Sequence, residues 1–128
     1  MPSRKERLCK LVKVQEQLRS LHETRHAVHL AAEMRSKAGA ADLIERFDAA
    51  DTLSGLFPDL YHRRIGMALA ESEASAELAR QEADRVATAR ARTNVVERAY
   101  RAERQWDERR AADRERLDLI GQVTKPRK

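Results

Sequence analysis

Residues 61–120, YHRRIGMALAESEASAELARQEADRVATARARTNVVERAYRAERQWDERRAADRERLDLI, decide the fold. The stretch holds no proline and one glycine, and nearly every position is Ala, Arg, Glu, Leu, Gln or another residue that costs a helix little. A single helix of that length would extend roughly 90 Å at about 1.5 Å per residue, more than a compact domain of this size could bury. It must pair with something. Alternating steps of three and four residues pick out Ile65, Ala68, Ser72, Ser75, Ala79, Glu82, Val86, Ala89, Thr93, Val96 and Tyr100. That is the seven-residue period of a left-handed coiled coil. Its occupants are mostly small, so a partner helix can approach closely while each layer buries little. A fully buried leucine contributes about 1.5–3 kcal/mol, and an alanine well under that.

Working outward, composition supports the same reading. Ala, Glu, Lys, Leu and Arg make up 73 of the 128 residues, above the level that marks coiled coils and long helices. Leu, Ile, Val and Phe are only 25 of 128, near the level where a packed globular core gives way to disorder. Helical periodicity and the scarcity of Gly and Pro decide for helix. One elongated domain is the expectation for this length. The single cysteine, Cys9, excludes an internal disulfide, fits a reducing compartment and reads as a small apolar side chain. The N-terminus, MPSRKERLCKLVK, is basic but lacks the apolar run of a signal peptide. No stretch approaches the ~20 apolar residues of a membrane span. The expected location is the cytoplasm, at most peripheral to a membrane.

Ser3 is placed to cap a first helix, expected over residues 3–38, whose seam reads Leu11, Val14, Leu18, Leu21, Arg25, Val28, Ala32 and Arg35. Leu18 and Leu21 form its strongest layers, and Gly39 is expected to end or kink it. This helix is the partner that the long one needs. His22, His26, His29 and Glu33 fall at spacings of four, three and four residues, a pattern that raises zinc ligation. The leucine frame turns them outward, where they are expected to be solvated side chains and no metal is expected.

Residues 39–60, GAADLIERFDAADTLSGLFPDL, form a connector with five acids and one base, against nine bases and four acids in residues 1–38. Leu43, Ile44 and Phe47 suggest a short helix, which Ser54, Gly55 and Pro58 break. Leu53, Leu56, Phe57, Leu60 and Tyr61 gather at this turn. They are expected to staple the end of the hairpin, and the alternative is a partner-docking tip at Leu56 and Phe57. Folding here sets the helices antiparallel with residue i opposite about 112 minus i, which puts Leu11 near Ala102 and Arg4 near Glu108. The long helix, expected over 61–120, then outruns its partner from about residue 108. Pairs such as Glu97 with Arg101, Arg104 with Glu108 and Arg109 with Asp113 support it by ~0.2–0.5 kcal/mol each. Residues 121–128 are expected to be a loose tail. The fold class is therefore all-α, an antiparallel two-helix coiled-coil hairpin.

No catalytic pattern is present: no glycine-rich phosphate loop, no Cys/His metal quartet, no nucleophile flanked by a base and its orienter. Acid pairs such as Glu71 with Glu73 read as solvated faces. Neither an enzyme nor a cofactor nor a small-molecule substrate is expected. The net charge of +5 and pI of 9.8 raise nucleic acid. Residues 91–128 carry eleven bases, but seven acids are interleaved among them, which suits a protein-binding face better than a basic region that forks across a groove.

A basic N-terminal helix (KERLCKLVKVQEQLRSLHETR), a weaker middle and a long charged helix ending in YRAERQWDERRAADRERLDLIGQ resemble the FliJ/YscO family, the stalk proteins of flagellar and type III secretion export apparatuses. The resemblance covers most of the chain and rests on length, hairpin layout and charge texture, without a diagnostic motif. It implies a non-catalytic stalk or adaptor, peripheral at the inner membrane. The implied partners are the hexameric export ATPase, the export-gate membrane protein and, in some members, export chaperones. Tyr100, Arg104, Trp106, Arg109, Arg110, Arg114, Leu117 and Ile120 are then the candidate partner-binding residues. For Trp106 a second reading stays open, in which it covers the N-terminal end of the hairpin. The competing function is a basic coiled-coil adaptor for nucleic acid or another coiled coil.

Overall fold

The computed structural model describes residues 1–49 and 55–124. Two helices account for nearly all of them: α1, Arg4–Asp48, and the longer α2, Pro58–Thr124. Ser3 caps α1 as expected, its Oγ accepting a hydrogen bond from the Glu6 amide at 3.2 Å. The missing amide hydrogen and fixed φ of Pro58 suit the first position of α2, and Asp59 in the first turn favours the positive end of the helix dipole.

α1 runs past the expected boundary at residue 38, ends only at Asp48 and absorbs most of the connector. Gly39 does not end it: the helix continues through to Asp48, and no described residue has the positive φ of a glycine cap. One interior glycine costs about 1 kcal/mol. Ala38, Ala40 and Ala41 around it are the best helix formers, and Ala40 is packed in the interface. Leu43, Ile44 and Phe47 are thus the last turns of α1 rather than a separate helix. Leu53 and Ser54, expected at the turn, lie outside the described residues. α2 likewise begins before residue 61 and continues past residue 120.

The chain divides into two compact units, one of residues 1–17 with 90–128 and the other of residues 18–89. In the second unit the helices meet with opposed numbering, His22 against Glu82 and Phe47 against Tyr61. Ser72, Ala79, Glu82, Val86 and Ala89 are buried there, with Ile65, Ala68 and Ser75 half-buried. In the first unit Thr93 is buried, and Val96 and Tyr100 are half-buried. Every residue of the expected α2 seam therefore faces inward.

The α1 seam is one residue out of register. Leu11 and Val14 in the first unit, and Leu18, Leu21, Arg25, Val28 and Arg35 in the second, are exposed. The inward positions are Lys5, Leu8, Cys9, Val12 and Gln15 in the first unit. In the second they are Arg19, His22, Glu23, His26, His29, Ala32, Glu33, Ser36, Ala40, Leu43 and Phe47, of which Ala32 alone belongs to the expected seam. The histidine face, expected in solvent, is the face that packs.

Candidate functional site

The polar seam of the 18–89 unit explains that choice. Glu82 sits in the α2 seam with its side chain 4% exposed, and a buried carboxylate is tolerated only when paired and hydrogen-bonded. His22 donates from Nδ1 to Oε2 at 2.9 Å, and Arg85 donates to Oε1 at 2.7 Å. Turning the leucine face inward would have carried His22, the donor to that oxygen, away from the seam. Burial pushes the Glu82 pKa up. The hydrogen bonds from His22 and Arg85, with the charge of Arg85, outweigh that and hold it below the usual carboxylate value of 4.5. Among the described residues no group of three or more His, Cys, Asp or Glu side chains is arranged to hold a metal ion. The inward face with Glu82 is an internal fastening.

At the Pro58 end of the same unit, Phe47 packs on Tyr61 at 6.0 Å between centroids and on the His62 ring at 4.9 Å. Leu43, Arg46, Phe57, Leu60, Tyr61 and Arg64 line a small cavity of about 170 Å³ there. Phe57, Leu60 and Tyr61 thus gather against the last turns of α1, as the stapling reading expects. Leu56 does not line that cavity and is 72% exposed.

In the other unit, ion pairs between the helices join Arg4 to Glu103 and Lys5 to Asp107, both at 3.9 Å. The expected partner of Arg4, Glu108, instead accepts a hydrogen bond from Arg104 at 3.2 Å. Lys5 with Asp107 fits the expected placing of residue i opposite about 112 minus i, whereas Arg4 reaches one turn back along α2 to Glu103. Beyond Asp107 every described residue, 108–124, is exposed, so the unpaired end of α2 is present. Of the expected support pairs, Glu97 with Arg101 (3.6 Å) and Arg104 with Glu108 form, while Arg109 and Asp113 form no ion pair among the described residues.

The candidate partner-binding residues divide accordingly. Tyr100 is half-buried in the seam, and Arg104 is held by Glu108. Trp106 is 57% exposed, and the Arg110 guanidinium lies over its ring at 5.6 Å. That cation–π pair has an i, i+4 spacing legible in the sequence. Arg109, Arg114, Leu117 and Ile120 stand exposed on the unpaired turns. Leu119, Ile120, Val123 and Thr124 line an open apolar hollow of about 210 Å³ beside them. Among the described residues no helix is long and apolar enough to cross a membrane.

The class that fold and site define is a two-helix hairpin whose second helix is the longer and carries an exposed arginine-rich end. No family model matches the chain, and neither the curated proteins nor the solved structures yield a significant match.

Proposed function

We propose that this chain is a non-catalytic stalk or adaptor of a bacterial flagellar or type III protein export apparatus, gripping the export ATPase ring with the unpaired end of α2. The observation that supports this reading is the continuation of α2 beyond its last ion pair to α1 at Asp107, with residues 108–124 all exposed. A helix end carrying Trp106 under Arg110, with Arg109, Arg114, Leu117 and Ile120 beyond, has the aromatic, arginine and aliphatic anchors that dominate protein interfaces. Exposed arginines also suit acidic loops repeated around a ring, which they meet without locking to one subunit. The resemblance to the FliJ/YscO family supplies the particular machine. In this reading the hairpin is a coiled coil, the export gate and export chaperones are further partners, and the chain works at the cytoplasmic face of the inner membrane.

The test is a titration of the purified hexameric export ATPase from the same cell with the full chain and with residues 1–107. Binding by the full chain and its loss in the shorter one is the expected result. An ATPase that binds neither, or both alike, overturns the proposal. Tight binding to duplex DNA in place of the ATPase would transfer the function to the nucleic-acid adaptor reading.

A further inference from the structure

The 18–89 unit exposes an apolar stripe that its own packing does not use. Leu18, Leu21 and Val28 of α1 are 40%, 43% and 56% exposed, and Leu78 of α2 is 45% exposed. All four lie on one flank. A groove of about 390 Å³ runs along that flank and is bordered by Ala32, Arg35 and Gly39 from α1 and by Glu71 from α2. The buried column Ser72, Ala79, Val86 keeps a seven-residue step within the interface, so residues seven apart stay in one column. Leu18 and Arg25 therefore continue the column of Ala32 and Gly39. Leu21 and Val28 continue that of Arg35, and Leu78 that of Glu71.

The charges on this flank are mostly of one sign. Arg25 and Arg35 interrupt the α1 columns, and Arg64 and Arg85 continue the α2 column on either side of Glu71 and Leu78. Arg85 is engaged by Glu82, whereas Arg25, Arg35 and Arg64 form no ion pair among the described residues. Apolar layers bordered by unengaged arginines are the complement of a helix whose apolar seam is bordered by carboxylates.

We propose that this flank is the docking surface for an acidic amphipathic helix of a partner protein, which lies along the hairpin as a third helix. Its apolar seam packs on Leu18, Leu21, Val28 and Leu78, and its Asp and Glu side chains meet Arg25, Arg35 and Arg64. A second copy of the chain is the poorer occupant. The flank laid on itself would press unengaged arginines together as water leaves, and like charges in a drying contact oppose association. The surface is distinct from the end of α2 and does not depend on the export-apparatus reading.

The probe is a fluorescent synthetic helix about four heptads long, with Leu at the two seam positions of each heptad and Glu at the flanking positions. A twin carries Lys in place of every Glu. Each is titrated against the full chain by anisotropy. The Glu-flanked helix is expected to bind, and the Lys-flanked twin to bind at least about tenfold more weakly. Leu21→Glu should weaken the Glu-flanked probe by a similar factor with helix content and Tm unchanged, because Leu21 is exposed in the folded chain. Arg25→Glu should weaken the Glu-flanked probe and strengthen the Lys-flanked one. Absence of binding, equal binding of the twins, or unaltered binding by Leu21→Glu overturns the proposal. So does a chain that sediments as a dimer and is made monomeric by Leu21→Glu, which would assign the flank to a second copy.

Discussion

His22 Nδ1 lies 2.9 Å from Glu82 Oε2 and joins α1 to α2 through a carboxylate whose residue is 3% exposed. Because buried ion pairs owe their cost to desolvation, removing one partner is worse than removing both. His22→Leu alone should lower Tm by several degrees, leaving Oε2 without its donor. His22→Leu with Glu82→Leu should recover most or all of that loss, as apolar side chains fill the layer. Thermal melts of the two single variants and the double variant close the cycle. Additive losses would show that the pair is not coupled.

The same carboxylate sets an acid limb. Folding lowers the Glu82 pKa from 4.5, so the folded chain binds fewer protons at this group than the unfolded chain does. Its contribution is complete above that pH and is lost as pH falls through the lowered value. Melts between neutral pH and the acid range should show Tm dropping below about pH 4.5. Glu82→Gln should show a shallower drop. Parallel curves for the two proteins would assign the acid limb to other carboxylates.

The exposed leucines make a sharp contrast with the buried α2 seam. Leu18→Ala and Leu21→Ala should each cost less than about 0.5 kcal/mol, the range of surface substitutions. In a leucine seam they would cost about 2–3 kcal/mol. Val86→Ala, in the seam, should cost about 1 kcal/mol or more, and Ala79→Leu about 1–3 kcal/mol by overpacking. Denaturant midpoints of the four variants give the order. Leucine losses above the Val86 loss would restore the leucine face to the interface.

Much of α2 was legible in the sequence because one heptad frame runs without competition from Ile65 to Tyr100. α1 carries two frames a single residue apart. One holds Leu11, Val14, Leu18 and Leu21, and the other Val12, Gln15, Arg19 and His22. Hydrophobicity favours the first. The second brings His22 within reach of Glu82, whose buried carboxylate in the α2 seam needs a donor. That demand was visible as a glutamate at a seam position, but meeting it required the register of the pair. The overhang survived the register error because it depends on α1 starting near residue 4, which Ser3 marks locally.

Gly39 tests why α1 passes through the connector. A Cβ built there meets nothing within 4 Å, and its φ is not positive. Gly39→Ala should therefore stabilise the chain by about 0.5–1 kcal/mol, since alanine loses less backbone freedom on entering a helix. A loss of stability would mean that the glycine serves a bend or a close approach in solution.

Truncation separates the paired part of α2 from the unpaired part. Ending the chain at Asp107 removes residues of which every described one is exposed, and keeps the ion pairs of Glu103 to Arg4 and Asp107 to Lys5. The Tm of that variant should match the full chain within a degree or two, because exposed helix with only i, i+4 support contributes a few tenths of a kcal/mol per pair. Ending at Val95 instead also removes the half-buried Val96, Tyr100, Glu103 and Asp107, which face α1 in the seam. That variant should melt several degrees lower and lose helix from residues 1–17 as well, since those residues pack with this part of α2 in one unit. Calorimetry and far-UV circular dichroism on the three lengths read both effects. If ending at Asp107 lowers Tm as much as ending at Val95 does, the last turns of α2 stabilise the fold and are not a free end available to a partner.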